Sequence, residues 1–251
     1  MTTAPMQAAA TPAASSPPLS PLARVVAIFT RPAQAWGGLQ RVQWWIPLLI
    51  TLVITATGNF FLHDRALMPM LVDQWEQEVA DGNMPAEQME RAQAFMEGTT
   101  GKIMVLVQQA VLLPVFTLFA ALLIWFGVGF VLGSKISYRL ALEVAAWAGL
   151  ISLPGYFITF ALAWFKETMK GIHTGFGLLL PDTETPGKLM TGVGAFLDGI
   201  GPLALWYVAV VVLGAAALSG APRKSVMWVL GGLYLVIMVL IACMAAMGAR
   251  G

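Results

Sequence analysis

The sequence predicts an all-α integral membrane protein with about five transmembrane helices, an N-terminal amphipathic segment and a helical hairpin in the first outer loop. Of its 251 residues, 58% are hydrophobic and 11% are charged, and the mean hydropathy is +0.77. A soluble domain carries about a quarter charged residues, so this chain has too few for a surface that faces water. Unbroken apolar runs such as Leu118–Phe126 favour helices over the alternating strands of a β-barrel.

Composition also excludes several classes of function. The net charge is +1 and no dense basic cluster occurs, so nucleic acid is excluded as a partner. One cysteine, Cys243, allows no internal disulfide and no cysteine-rich metal site. Residues 1–20 are rich in Ala, Pro, Ser and Thr and lack Lys and Arg, which predicts a disordered tail rather than a secretory signal.

The single membrane domain is predicted over residues 21–251, and it begins with an amphipathic segment, Leu19–Gln43. Its apolar positions recur at helical spacing: Leu22, Val25, Val26 and Phe29. Arg24 and Arg31 lie alongside, and Pro32 ends the helix. The pattern fits a helix in the headgroup region of the bilayer, or equally a cytosolic helix packed on the bundle.

Five stretches have the roughly 20 apolar residues that cross a bilayer. They are about 44–62, 103–132, 140–165, 196–218 and 226–247. Trp44 and Trp45 would anchor the first span at the interface. Pro114 in the second span and Pro154 in the third are places where a helix kinks.

The connections between these spans differ in character. An extramembrane helical hairpin is predicted at about 64–98, where apolar residues recur every three or four positions on each side of Asp81-Gly82-Asn83. Residues 166–195 are rich in Gly and Pro, which predicts irregular structure. The other two connections are short.

The distribution of charge predicts a cytoplasmic N-terminus and an outer C-terminus, in a bacterial inner membrane. With this orientation the cytoplasmic segments contain seven basic residues and no acidic residue: Arg24, Arg31, Arg41, Lys135, Arg139, Arg223 and Lys224. The outer segments contain seven basic and eleven acidic residues. Basic residues in short loops orient spans, so the prediction depends on the two short basic loops.

Six polar residues are candidates for a site within the membrane. Glu143 lies one turn into the third span, four residues after Arg139, and it is interpreted either as a coupling carboxylate or as an interfacial ion pair with Arg139. Asp198 begins the fourth span, where an acid can cap a helix. The remaining three, Asn59, Gln108 and Gln109, either line a pathway or join helices by hydrogen bonds.

Small residues predict close packing between helices. Gly129 and Gly133 form a Gly-x-x-x-Gly pair, and Ala141, Ala145 and Gly149 follow one face of the third span. No hydrolase or nucleotide-binding signature occurs. His63 and His173 are far apart in the sequence, so no metal site is predicted. No catalytic site and no cofactor are predicted either.

The layout resembles the YIP family, the Ypt/Rab-interacting five-span membrane proteins, and is most similar to its uncharacterised bacterial members. The resemblance covers roughly residues 20–247. It depends on Pro32 and Trp36 in the N-terminal segment, on Trp44-Trp45, and on the sequence from Ser137 to Ala145 followed by Pro154.

This resemblance implies a membrane protein that works with other membrane components. Eukaryotic members are associated with Rab-type GTPases and carry an Asp-Leu-Tyr-Gly-Pro motif before the spans. Here Thr30-Arg31-Pro32-Ala33-Gln34 stands near that place, which argues against a Rab-type GTPase as partner.

Two functions from different classes follow from the sequence. The first is a non-catalytic membrane protein that organises lipids or membrane-protein partners, or that forms a homo-oligomer. The second is a small transporter, channel or lipid-moving protein that uses Glu143 and the broken helices. A membrane enzyme would require a pocket that gathers Glu143, Asp198 and a histidine.

Overall fold

A computed structural model describes residues 19–39, 42–181 and 187–249, and within these ranges the regular structure is entirely helical. The predicted fold class is therefore confirmed. The disordered tail predicted for residues 1–20 falls almost wholly outside the described residues.

Ten α-helices make up the described part of the chain. They are α1 (Pro21–Thr30), α2 (Trp45–Leu62), α3 (Met68–Ala80), α4 (Ala86–Glu97), α5 (Thr99–Ile124), α6 (Tyr138–Gly149), α7 (Ser152–Lys166), α8 (Lys188–Gly199), α9 (Pro202–Ser219) and α10 (Arg223–Gly248). Five helical stretches are long and apolar enough to cross a bilayer: Trp45–Ala80, Thr99–Val131, Tyr138–Lys166, Pro202–Ser219 and Arg223–Gly248. These are the five spans that the hydropathy pattern predicts.

The first helical stretch is longer than a membrane crossing requires. A π-helical turn, His63–Leu67, joins α2 to α3 without a break, so the helical stretch is 36 residues long. At 1.5 Å per residue this is about 54 Å, well beyond the roughly 30 Å of the hydrocarbon layer. Helix α4 then turns back and leads into α5, so α3 and α4 extend directly from the first two spans, and their placement outside the membrane stays a prediction.

The third span is broken into α6 and α7. Leu150 and Ile151 form the turn between the two helices, and Pro154 lies in the first turn of α7. Proline has no N–H to bond the carbonyl of Leu150, and its ring crowds that carbonyl. The helix therefore ends before the proline and begins again around it.

The boundary predicted for the fourth span is wrong. The span begins at Pro202, and residues 196–199 belong to the preceding helix, α8. The irregular structure predicted for residues 166–195 is therefore also wrong from Lys188 onward. Helix α8 packs against α10 at Gly192, where an added Cβ would lie 3.0 Å from the carbonyl oxygen of Ala242. Glycine here permits a close contact between the two helices. The Gly- and Pro-rich pattern of this segment instead predicts a loop.

Helix α6 lies at the centre of the bundle. Eight consecutive residues, 141–148, are buried, which requires neighbours on every side. Helices α2, α5 and α9 pack against it, and the N-terminal segment covers the remaining side. In contrast, α10 exposes large apolar side chains such as Val236 and Leu240, as expected for a helix that faces lipid.

The small residues predicted to pack helices have different roles. Ala141 and Ala145 are buried in α6, whereas an added Cβ at Gly149 would meet nothing within 4 Å. Gly133 does not form a helix face with Gly129, because it has φ +63° in the turn after the second span. The close approach of that span to α10 occurs at Gly127, where an added Cβ would lie 2.9 Å from Leu230.

Gly58 of α2 provides a test of the packing of the spans. An added Cβ there would overlap the hydroxyl of Tyr156 on α7. We expect Gly58→Ala to lower the thermal unfolding temperature in detergent by several degrees, since overpacking costs about 1–3 kcal/mol.

Gly231→Ala is the matched control, because nothing lies within 4 Å of a Cβ added in that part of α10. Its unfolding temperature should stay level or rise slightly, since alanine is the better helix former. Equal destabilisation by both substitutions would contradict the packing described.

Candidate functional site

A buried arginine attaches the N-terminal segment to the bundle. Arg24 of α1 is 0% exposed. Its Nη1 and Nη2 donate hydrogen bonds to the carbonyl oxygens of Ala35 and Gly37 at 3.0 and 3.1 Å. The guanidinium also lies 5.4 Å from the ring centroid of Trp147 on α6, within the range of a cation–π contact. One side chain thus folds the segment on itself and docks it on the central helix.

Glu143 of α6 is 0% exposed as well, and both of its oxygens accept hydrogen bonds. Oε1 accepts from the backbone N–H of Gln43 at 2.7 Å, and Oε2 accepts from the indole Nε1 of Trp147 at 3.1 Å. The carboxylate therefore binds both the chain that enters the first span and a side chain one turn away on its own helix.

The predicted ion pair between Glu143 and Arg139 stays a prediction. Arg139 is exposed, and its Nη2 donates to the carbonyl oxygen of Leu39 at 3.3 Å. Arg24 is a buried cation that interacts electrostatically with Glu143. Both arginines therefore bond to backbone carbonyls of the N-terminal segment, Arg24 from within that segment and Arg139 from α6.

Charge and burial oppose each other at Arg24. Loss of water around the guanidinium lowers the pKa of Arg24, and the nearby Glu143 carboxylate raises it. Arginine remains charged even so, because the ordinary pKa of its guanidinium lies far above neutral pH. The result is a buried cation over the Trp147 ring and a buried carboxylate that accepts from the indole N–H of the same residue. Such a pair is stable only while both partners are present.

Trp36 completes this arrangement, which we name the N-terminal clamp: Arg24, Trp36, Gln43, Glu143 and Trp147. The Trp36 indole is buried against α9 at Gly214, where an added Cβ would lie 2.7 Å from the ring. Because only glycine leaves room for the indole, the segment 19–39 enters the bundle between α6 and α9.

A second polar cluster joins α2, α5 and α7. Asn59 Nδ2 donates to Gln109 Oε1 at 2.8 Å, and Gln109 Nε2 donates to the hydroxyl of Thr55. The Tyr156 hydroxyl lies 3.0 Å from the carbonyl oxygen of Thr55 and 3.1 Å from Asn59 Oδ1. These side chains satisfy one another across three helices. Gln108, the remaining candidate, lies outside these hydrogen bonds and is exposed.

Asp198 is placed differently from the prediction. It lies near the end of α8 instead of at the start of a span, so it caps no transmembrane helix. Its two carboxylate oxygens lie 3.0 and 2.8 Å from Nδ1 of His173. A Cβ added at Gly177 would overlap the same carboxylate. Asp198 therefore holds the loop that precedes α8.

The candidate residues do not assemble into one centre. Asp198 and His173 meet, but Glu143 is bonded within the N-terminal clamp. His63 pairs instead with Asp64 at 2.8 Å. Among the described residues there is no group of three or more His, Cys, Asp or Glu side chains that could hold a metal ion. A membrane enzyme would require Glu143, Asp198 and a histidine in one pocket. Among the described residues, these three side chains do not come together.

Sequence reasoning did not single out Trp147 or Tyr156, and it treated Arg24 only as a flanking charge. A signal existed for Arg24, because it shares a helix face with Ile28 four residues later, opposite Leu22 and Val26. Trp147 follows Glu143 by the same spacing. For Tyr156 the sequence offers no signal, since its partners are about a hundred residues away.

Several cavities lie among the spans. The first, of about 500 Å³, follows the cluster of α2, α5 and α7 and includes Gln108. The second, of about 440 Å³, lies between α7 and α9 and includes Asp198. The third is an apolar crevice of about 190 Å³ between α5, α9 and α10. Glu143 lines none of these three.

Comparison with known proteins identifies the family of the chain. A family model described as the Yip1 domain matches residues 26–244, which confirms the family that the sequence resembles. No curated protein and no solved structure matches the chain.

Replacing Glu143 tests the N-terminal clamp. Glu143→Gln keeps an oxygen for the Gln43 N–H but leaves Arg24 buried without its counter-charge. Removing one partner of a buried pair costs about 3–5 kcal/mol, so we expect a clear fall in thermal unfolding temperature in detergent.

Arg24→Met in the same chain should recover part of this loss, because the unpaired charge is then gone. Arg31→Gln is the matched control, since Arg31 is exposed on the same segment and should change stability by less than about 0.5 kcal/mol. Strictly additive effects of the Arg24 and Glu143 substitutions would show that the two side chains do not interact.

Proposed function

Because the chain belongs to the Yip1 domain family, we propose that it is a non-catalytic multi-pass membrane protein that organises lipids or membrane-protein partners. The single observation that carries the proposal is the way the buried and half-buried polar side chains of the bundle are used. Glu143 and Arg24 hold the N-terminal segment on the bundle, and Asn59, Gln109 and Tyr156 hold three spans together. These are the side chains that a transport pathway or a catalytic centre would need.

The N-terminal segment provides the surface for contact with other membrane components. Arg24 and Ile28 face the bundle, while the opposite face of α1 exposes Leu22, Val26 and Phe29. An amphipathic helix fixed to a membrane bundle on one side and apolar on the other is suited to the boundary between headgroups and acyl chains. In this proposal α1 contacts lipid directly, and the N-terminal clamp sets its position.

A membrane-protein partner or a second copy of the chain is the other component that the proposal includes. The exposed faces of the spans offer apolar surface for such a contact, and Gln108 adds an exposed amide, which can join helices by hydrogen bonds. A Rab-type GTPase is not part of the proposal, because the chain lacks the motif that the eukaryotic members carry before the spans.

The rival function, a small transporter, channel or lipid-moving protein, is favoured by the cavities beside the break between α6 and α7. Broken helices often frame substrate sites. Its proposed coupling residue, Glu143, argues against it, because both carboxylate oxygens accept hydrogen bonds and the side chain lines none of the three cavities. A carboxylate that carries protons or substrate needs access to a pathway.

Crosslinking in membranes followed by affinity purification tests the proposed function. We expect a reproducible crosslinked species, either a homo-oligomer or a complex with one membrane protein, or a co-purified lipid, because an organising protein acts through such contacts. Recovery of only the monomer, free of lipid, would count against the proposal.

Flux into proteoliposomes serves as the control for the rival function. The proposal expects no flux of ions or small solutes above empty vesicles for the parent chain. Flux that Glu143→Gln abolishes, with the protein still folded, would establish the rival instead.

We further propose that the N-terminus is cytoplasmic and the C-terminus lies outside, in a bacterial inner membrane. The support is the basic character of the short loops after the second and fourth spans. Cys243→Ala removes the one native cysteine, and Glu87→Cys or Lys135→Cys then adds one thiol on either side. A membrane-impermeant thiol reagent added to spheroplasts should label position 87 and spare position 135, and the reverse pattern would invert the orientation.

A further inference from the structure

We propose that the two cavities that meet at Tyr207 and Tyr234 form a binding site for one lipid molecule whose head group donates hydrogen bonds. The head group, an amine or a hydroxyl, would lie at Asp198, and an acyl chain would follow α9 into the apolar crevice. The inference rests on the proposed function and specifies one of its components, a lipid.

The polar end of the site is the cavity of about 440 Å³ between α7 and α9. Its polar lining comes from Asp198, from the threonines Thr159 and Thr174, and from Ser152. Among the described residues that line this cavity, Asp198 is the one carboxylate and no Lys or Arg accompanies it. A carboxylate with neighbouring hydroxyls attracts hydrogen-bond donors and disfavours a bare phosphate.

The Asp198 carboxylate is held in place yet keeps acceptor capacity. Nδ1 of His173 lies 2.8 Å from one oxygen and 3.0 Å from the other, and the loop packs so tightly that Gly177 has no room for a Cβ. About a third of the Asp198 side chain is still exposed. Because an ionised carboxylate has about four acceptor positions, the contact with His173 leaves positions for a ligand.

If Asp198 only fixed the preceding loop to α8, just part of this arrangement would be needed. His173 and the glycines of the loop are sufficient to fix the loop on the end of α8. Thr159, two turns into α7, takes no part in that contact, yet its side chain borders the same cavity. A ligand in the cavity explains the position of this hydroxyl, whereas the contact between Asp198 and His173 does not.

The apolar end is the crevice of about 190 Å³ between α5, α9 and α10. Side chains such as Phe119, Leu123, Val208 and Ile237 line it, and no charged side chain does so. Phe119 is half-exposed on the outside of the bundle, so the crevice borders the lipid. This location suits an acyl chain and does not suit a water-soluble solute.

The two ends are in the correct order for a lipid. Tyr207 and Tyr234 line both cavities, so a chain that leaves the polar cavity passes these rings into the crevice. From Leu203 in the polar cavity to Val211 in the apolar crevice is eight residues of α9, a rise of about 12 Å. The site is polar at the end of the bundle and apolar toward its middle. A lipid in a bilayer has the same order, with its head group at the surface and its acyl chains inside.

Native mass spectrometry of the full chain in detergent tests the site, with phosphatidylethanolamine, diacylglycerol and phosphatidic acid as probes. We expect one tightly retained molecule of phosphatidylethanolamine if the preferred donor is an amine, or of diacylglycerol if it is a hydroxyl. Phosphatidic acid with the same acyl chains should bind about tenfold more weakly, because its bare phosphate would approach Asp198 with neither an amine nor an alcohol group.

Two substitutions separate binding from folding. Asp198→Asn should weaken retention about tenfold, and Thr159→Val should weaken it severalfold while leaving thermal stability unchanged. Asp73→Asn, at an exposed acid of α3, is the matched control and should bind as the parent does. Ala120→Phe, which adds a ring to the crevice wall, should displace the acyl chain.

Equal retention of all three lipids, or no effect of Asp198→Asn and Thr159→Val, would overturn the proposal. So would a second copy of the chain or a peptide occupying the crevice in place of lipid. If the chain retains no lipid but still forms crosslinks with a partner, this inference alone is wrong. If the chain neither retains lipid nor forms crosslinks, the proposed function is wrong as well.

Discussion

The burial of Glu143 beside Arg24 is the constraint on which the rest of the structure depends. A carboxylate this deep in an apolar bundle is costly unless its oxygens are bonded and an opposite charge is near. Gln43, Trp147 and Arg24 supply these conditions together. Two of these residues come from the chain before the first span, so the N-terminal segment must pack on α6, and α6 becomes the central helix of the bundle.

Other polar side chains of the membrane domain also bond to partners within the protein. Water is absent from the hydrocarbon layer, so each buried polar side chain requires a partner within the protein. Asn59, Gln109, Thr55 and Tyr156 bond to one another, and Asp198 bonds to the loop before α8. The polar residues thereby determine which helices lie together, while lipid-facing helices such as α10 remain apolar. A bundle organised in this way has little polarity left for a continuous pathway.

Prediction from the sequence was accurate where local physics determines the outcome. Hydropathy located the five spans, and Pro154 marked the break in the third. Prediction failed where a contact between distant segments decides the structure. Gly192 looks like a loop residue in the sequence, but it allows α8 to pack closely on α10. Gly133 shares its four-residue spacing with a packing motif, but its backbone conformation ends the helix.

The sequence by itself determined that the chain is an α-helical membrane protein with five spans, because long apolar runs can satisfy their backbone only as helices in lipid. It also marked Glu143 as the residue whose burial needs an explanation. Only the tertiary structure decided that Arg24 of the N-terminal segment lies near enough to Glu143 to interact with it electrostatically. The reason is geometric: the fold of the N-terminal segment brings the two side chains together over a separation of more than a hundred residues, which no helical periodicity records.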